Sequence, residues 1–205
     1  MNTDTLIYVV DDDAGLRRSL AYLLDSVGWK MEAFDSTEAF LAGWQPQRPA
    51  CLLLDVRMPG ISGLELQRRL RRDGHQLPIV FMTGHGDIPM AVEAMRAGAV
   101  DFIEKPFRDQ ALLDALERAL HRVPAAMRML SLRDKYATLT ARERMVAEQV
   151  AAGMPNKRIA QRLDISERTV QVHRQNALDK MGAASAAELA AALLRLEGGQ
   201  ARRSE

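Results

Sequence analysis

A single cysteine in 205 residues leaves no internal disulfide and no cysteine-rich metal centre. Cys51 is read as a small core hydrophobe. No apolar run reaches the about 18 residues that a membrane-spanning helix requires. Met1 to Thr5 enters the first apolar stretch with no basic region ahead of it, so neither a span nor a secretory leader is expected, and the expected location is the cytoplasm. There is no internal repeat and no low-complexity tract. An excess of one charge sign is also missing, because the net charge is only +1. That balance conceals two unlike halves: residues 1 to 121 hold 13 Lys and Arg against 18 Asp and Glu, and residues 122 to 205 hold 15 against 9. An acidic half followed by a basic one implies different partners, with nucleic acid the candidate for the second. At 47% apolar and 27% charged the composition is that of an ordinary globular chain, long enough for two domains.

The acidic half alternates short apolar runs with helical periodicity. Leu6 to Val10 precedes Leu16, Leu20, Leu23, Leu24 and Val27 at helical spacing, and Gly28 ends that helix. The pairing repeats in Met31 to Phe34 with Ser36 to Trp44, Cys51 to Leu54 with Ser62 to Arg72, Ile79 to Thr83 with Ile88 to Ala97, and Val100 to Ile103 with Asp109 to His121. Five βα units predict an α/β fold, a doubly wound five-stranded parallel sheet with helices on both faces.

If the strand order is 2-1-3-4-5, the first and third strands are neighbours at the switch point. Asp11, Asp12 and Asp55 then meet at one carboxyl edge, which Thr83 and Lys105 also reach. Three carboxylates held together repel unless a proton or cation joins them, and such oxygen ligands suit Mg²⁺. A Lys and a hydroxyl beside the metal can hold the oxygens of a transferring phosphoryl group, with Asp55 as its nucleophile. Taken singly, Asp11 to Asp13 read as a helix cap, Asp55 as a turn residue, Lys105 as a solvated amine and Thr83 as a strand hydroxyl. Their coincidence at one edge favours a phosphate-accepting site. His85, in a Gly-flanked loop, is read as solvent-facing.

Val-Val-Asp11-Asp12-Asp13, Leu-Asp55-Val-Arg-Met-Pro-Gly60, Thr83-Gly-His-Gly-Asp87 and Lys105-Pro106-Phe107 stand in the order and spacing of the motifs of response-regulator receiver domains. The first 121 residues, from about residue 5, resemble that family, whose fold is of the CheY and flavodoxin kind. The resemblance implies that Asp55 is phosphorylated by a sensor histidine kinase and that Asp12, Asp11, Asp55 and the backbone carbonyl of Arg57 hold Mg²⁺. It further implies that Thr83 and Lys105 bind the phosphoryl oxygens, that Phe102 is the aromatic switch residue, and that the Lys105-Pro106 bond is cis. Phosphatases of the haloacid dehalogenase class place a second Asp two residues after their nucleophile, where this chain has Arg57. Without that general acid the expectation is a stable aspartyl phosphate, not an enzyme acting on outside substrates.

In the basic half, Pro124 is expected to break or kink the fifth helix, and 122 to 137 reads as a helical linker without a clear buried stripe. Thr140-Ala-Arg-Glu143 has the form of a capping box, Asn156 to Leu163 a short helix, Ser166 to Met181 a longer one, and Ser185 opens a fourth. A short helix, a turn at Asp164-Ile165 and a capped longer helix form a helix-turn-helix within an all-α four-helix domain, 138 to 198. Its outward face carries Arg168, Gln171, Val172, Gln175 and Asp179. Gln pairs with adenine, Val touches a thymine methyl, and Arg reaches guanine or phosphate. Asp179 is unexpected beside anionic DNA and lies either beyond the groove or against wrong sites. A four-helix module that binds protein or RNA is the competing reading.

Leu-Thr140-Ala-Arg-Glu143, Asn156-Lys157-Arg-Ile-Ala160 and Ile-Ser166-Glu-Arg-Thr-Val170-Gln-Val-His173-Arg174 resemble the LuxR-type DNA-binding domain over 138 to 196. The resemblance implies that Gln171, Val172 and Gln175 face bases, and that Lys157, Thr169, Arg174 and Lys180 face phosphates. A receiver followed by such a domain is similar to the FixJ class of transcriptional regulators. That similarity implies a homodimer through the fourth helix and fifth strand on phosphorylation, promoter DNA as target, and RNA polymerase as a further partner.

Overall fold

The computed structural model describes residues 5–84 and 88–201. His85 and Asp87 lie outside the described residues. The chain divides into two compact units between Met127 and Arg128.

In the first unit, β1 (Leu6–Val10), β2 (Lys30–Phe34), β3 (Ala50–Asp55), β4 (Ile79–Thr83) and β5 (Asp101–Glu104) form one sheet in the order β2-β1-β3-β4-β5. All four pairings are parallel. The helices α1 (Ala14–Ser26), α2 (Thr37–Gly43), α3 (Gly63–Arg72), α4 (Ile88–Arg96) and α5 (Asp109–Ala137) connect and follow the strands. β1, β3 and β4 are buried along their whole length, as unbroken apolar runs in a covered parallel sheet must be. β2, at one edge, is partly exposed. Alternate side chains feed two cores. Tyr8, Leu52, Leu54 and Phe81 join Phe40 and Leu66 on one face, whereas Ile7, Val9, Leu53 and Met82 join Leu20, Leu24 and Leu116 on the other. Cys51 is fully buried in the second core, and burial pushes its thiol up to about 12.

α5 departs from expectation. It runs from Asp109 to Ala137 with Pro124 inside it, so the proline removes one donor, the partner of the Leu120 carbonyl, without ending the helix. Residues 128–137 also carry a half-buried stripe that the sequence concealed. Met129, Leu132 and Tyr136, at steps of three and four, pack against the core of the second unit, whereas Met127 packs against the first.

The second unit adds α6 (Ala141–Ala151), α7 (Asn156–Leu163), α8 (Glu167–Met181) and α9 (Ala186–Ala201). Val146, Val150, Ile159, Val170, Ala177, Met181 and Leu189 form its centre. Asp164 (φ 54°) turns the chain between α7 and α8 in the left-handed region, which an Asx residue tolerates. Ser166 then caps α8 by accepting from the Thr169 N–H at 3.0 Å.

Candidate functional site

The register of the sheet assembles the acidic site. Val10 pairs with Leu54, so Asp11 continues β1 beside Asp55, which itself pairs with Met82 at the end of β4. Thr83 pairs with Glu104, and Lys105 follows. The carboxylates of Asp11, Asp12 and Asp55 offer oxygen atoms that all lie within 4.8 Å of one another. Asp11 and Asp55 are buried and Asp12 is exposed. Lys105 Nζ donates to Asp11 Oδ2 and to Asp55 Oδ2, both at 2.6 Å.

The supporting contacts give each acid a separate task. Asp13 caps α1 by accepting from the Gly15 and Leu16 N–H groups at 2.7 and 3.1 Å, so the third acid of the triplet serves the helix. Asp11 Oδ1 accepts from the Asp13 N–H at 2.9 Å, and the Asp11 carbonyl accepts from the Arg17 guanidinium at 2.5 Å. Asp55 Oδ1 accepts from the Arg57 N–H at 3.0 Å. Arg17 is a contributor that sequence reasoning missed, because a basic residue in the first turn of an amphipathic helix reads as solvated. Beneath the site, α3 begins at Gly63, whose N–H donates to the Val56 carbonyl at 3.1 Å. An added Cβ there would run into the Asp55 carbonyl oxygen, so the close approach requires glycine.

Burial raises the Asp11 carboxyl above its ordinary value, against the hydrogen bonds from Lys105 and from the Asp13 backbone. Burial also acts to lower the Lys105 amine, but hydrogen bonds to Asp11 and Asp55, with their charges, outweigh it and hold the ammonium above its ordinary value. Three carboxylates against one ammonium leave a formal charge of −2. A hard divalent cation with oxygen ligands balances that charge, so the residues present fit Mg²⁺. Thr83 is buried at the same edge, its carbonyl accepting from the Lys105 N–H at 2.6 Å, and the Lys105-Pro106 peptide is cis. Phe102 is partly buried and packs against the first core.

In the second unit α8 presents Arg168, Gln171, Val172, Gln175 and Asp179 to solvent, with Val172 52% exposed. Gln175 Nε2 donates to Asp179 Oδ1 at 2.8 Å. Lys157 is exposed on α7. Thr169 is half-buried, its hydroxyl 2.7 Å from that of Ser166, and Arg174 donates to Asn156 Oδ1 at 3.1 Å. Lys180, read from the sequence as facing phosphates, is exposed on α8 and also has partners within the unit. Its Nζ donates to Glu143 Oε2 at 2.6 Å and to the Thr138 carbonyl at 3.3 Å. Glu143 is buried and closes the capping box with Thr140, accepting from the Thr140 N–H at 2.8 Å. The Lys180 hydrogen bond, followed by that from the Thr140 backbone, holds the Glu143 carboxyl down at about 2. The capping box was legible in the sequence; its burial and its partner 37 residues away were not.

A parallel sheet that gathers three carboxylates and a lysine at one edge, followed by a helix-turn-helix bundle, defines a two-component response regulator with a DNA-binding output. The family comparisons agree: residues 7–117 match the response regulator receiver domain and residues 137–193 the bacterial regulatory proteins of the LuxR family. The chain belongs to the response regulators that join these two domains, a family of transcriptional regulators in two-component systems. It is 47% identical over 193 residues to the transcriptional regulatory protein FixJ of Bradyrhizobium diazoefficiens, covering 92% of this chain and 94% of that one. It is 45% identical over 197 residues to the response regulator protein TodT of Pseudomonas putida, covering 94% and 87%. Among solved structures, the response regulator StyR is 43% identical with a TM-score of 0.62, covering 94% of this chain and 99% of that one. No helix among the described residues is long and apolar enough to cross a membrane.

Proposed function

We propose that Asp55 accepts a phosphoryl group from the phosphohistidine of a sensor kinase, and that the modified chain dimerises and binds promoter DNA in the cytoplasm. The observation that carries this reading is the Lys105 ammonium at 2.6 Å from both Asp11 and Asp55 in a cluster of three carboxylates. In the transfer an Asp55 Oδ attacks phosphorus, the phosphorus–nitrogen bond of the kinase histidine breaks, and the imidazole leaves with that electron pair. Lys105 and the Thr83 hydroxyl bind the phosphoryl oxygens. Asp11, Asp12, Asp55 and the Arg57 carbonyl would hold Mg²⁺, which supplies the positive charge that lets a dianionic donor approach. Each event modifies the chain itself, so turnover of outside substrates is not its function.

The product adds about −1.5 to −2 charges beside Lys105. Thr83 and Phe102 answer that charge and reshape the surface of α4 and β5. Val92 and Met95 stand exposed on α4, which suits a face that a second copy covers. Two copies of α8 then read successive major grooves about 34 Å apart. Gln171, Val172 and Gln175 face bases; Arg168 reaches guanine or phosphate; Lys157, Thr169 and Arg174 lie toward the backbone. Lys180, exposed on α8 and paired with Glu143, also lies toward the backbone, and RNA polymerase is the partner that the bound dimer recruits. Shifting an equilibrium from 1:99 to 99:1 requires roughly 5.5 kcal/mol, and dimer contacts supply part of it.

Sedimentation with acetyl phosphate and Mg²⁺ tests the reading on wild type and Asp55→Asn. A monomer that becomes a dimer only in the wild type supports it, whereas dimerisation of both proteins removes Asp55 from the switch.

A further inference from the structure

Asp179 is the one acidic side chain on the outward face of α8 that carries Arg168, Gln171, Val172 and Gln175, and it accepts a hydrogen bond from Gln175 Nε2 at 2.8 Å. A carboxamide side chain can turn by half a revolution and exchange its oxygen for its nitrogen, so a free glutamine offers a groove two opposite orders of donor and acceptor. An ionised carboxylate only accepts. Turning the Gln175 amide over would set its oxygen against the oxygens of Asp179, which is repulsive. One order is therefore selected, and the amide keeps one N–H and its carbonyl oxygen for a partner. That donor and acceptor pair is what the major-groove edge of adenine requires.

We infer that Asp179 is a positioning residue for base recognition: it fixes the orientation of the Gln175 carboxamide and so sharpens the preference for adenine at one base pair. The inference rests on α8 being the base-reading helix. It also gives the acidic group beside polyanionic DNA a purpose, since a negative charge there weakens binding to every sequence while the fixed amide favours one. Holding a flexible side chain in its bound form before binding saves about 0.5–1.5 kcal/mol, which is roughly a 2- to 12-fold gain.

The test uses the full-length chain with acetyl phosphate and Mg²⁺, first against a randomised duplex pool to define its preferred sequence. Anisotropy titrations then follow that duplex and its single-base-pair variants for wild type, Gln175→Ala, Asp179→Ala and Asp179→Asn. Expected is a roughly 2- to 12-fold loss of discrimination in Asp179→Ala, at the same base pair that Gln175→Ala affects. Asp179→Asn loses it as well, because an asparagine can turn with the glutamine and pair with either end of its amide. Both Asp179 variants bind all sequences more tightly, having lost the same charge. If no base pair stands out in either, Asp179 acts through charge alone and the inference fails. If Gln175→Ala alters one preference and Asp179→Ala none, the inference fails while base reading by α8 stands. If Gln175→Ala alters no preference, the reading of this face falls and takes the inference with it.

Discussion

Replacing Lys180 by methionine separates the stability of the two units. The ammonium it removes donates to Glu143 at 2.6 Å and is the first cause of the carboxyl lying down at about 2. A folded-state value below the ordinary 4.5 means that the contribution is complete above about 4.5 and disappears as the pH falls from there through about 2. Taken whole, a shift of that size corresponds to about 3 kcal/mol. The Lys180 side chain is 36% exposed, however, and part of the shift comes from the Thr140 backbone, which the variant keeps. Solvent screening reduces the expected loss to about 1–2 kcal/mol at neutral pH.

The tryptophans make the loss assignable. Trp29 and Trp44 are the only two in the chain, and both pack against the cores of the first unit, so their fluorescence follows that unit in a urea titration. Helical circular dichroism follows both. Lys180→Met should move the dichroism transition of the second unit to lower urea and leave the fluorescence midpoint in place. The gap between variant and wild type should narrow as the pH is taken from 5 toward 3 and close only below about 2. A fluorescence shift as large as the dichroism shift, or a gap as wide at pH 2 as at pH 5, would refute the assignment of the stabilisation to this ion pair.

Lys105→Met strands the fully buried Asp11 beside Asp55, so the first unit should lose about 3–5 kcal/mol in tryptophan-monitored unfolding. Added Mg²⁺ should restore more stability to the variant than it adds to wild type. Gly63→Ala drives a methyl into the Asp55 carbonyl and should cost about 1–3 kcal/mol on the same assay. Cys51, fully buried with its thiol pushed up to about 12, should resist a disulfide reagent at pH 8 in the native protein and react at once in urea. Rapid native labelling would mean that the strand opens.

The sheet and its acidic edge were legible because their signals are local. An apolar run that ends in an acid, as at Asp11 and Asp55, announces both a buried strand and the residue at its exit, and five apolar runs alternating with helices leave few ways to wind. The core of the second unit was legible in outline through Val146, Ile159, Val170 and Ala177. What escaped depends on distance in the chain or on sharing of one element. Lys180 reads as a surface cation until the fold carries Glu143 to it. The stripe of Met129, Leu132 and Tyr136 is masked because the N-terminal part of the same helix faces a different core through Leu112, Leu116 and Val123. Pro124 reads as a break or a kink because sequence reveals the lost hydrogen bond but not the core contacts of Val123 and Met127 on either side of it.

The Lys105 ammonium is a knot tied in three strands of chain. It joins the exit of β1 to the exit of β3, and its own backbone N–H hangs from the last carbonyl of β4. Charge on the Asp55 carboxylate is thus part of what closes the edge of the sheet, and any group added there must renegotiate the hold on Asp11 before it can be accommodated. A lysine shared between two acids has no neutral way to favour one of them. Drawing it toward Asp55 loosens β1, and the residue that gives way is the fully buried Asp11. The acidic cluster and the fastening of β1 to β3 share the same three atoms, one nitrogen and two oxygens.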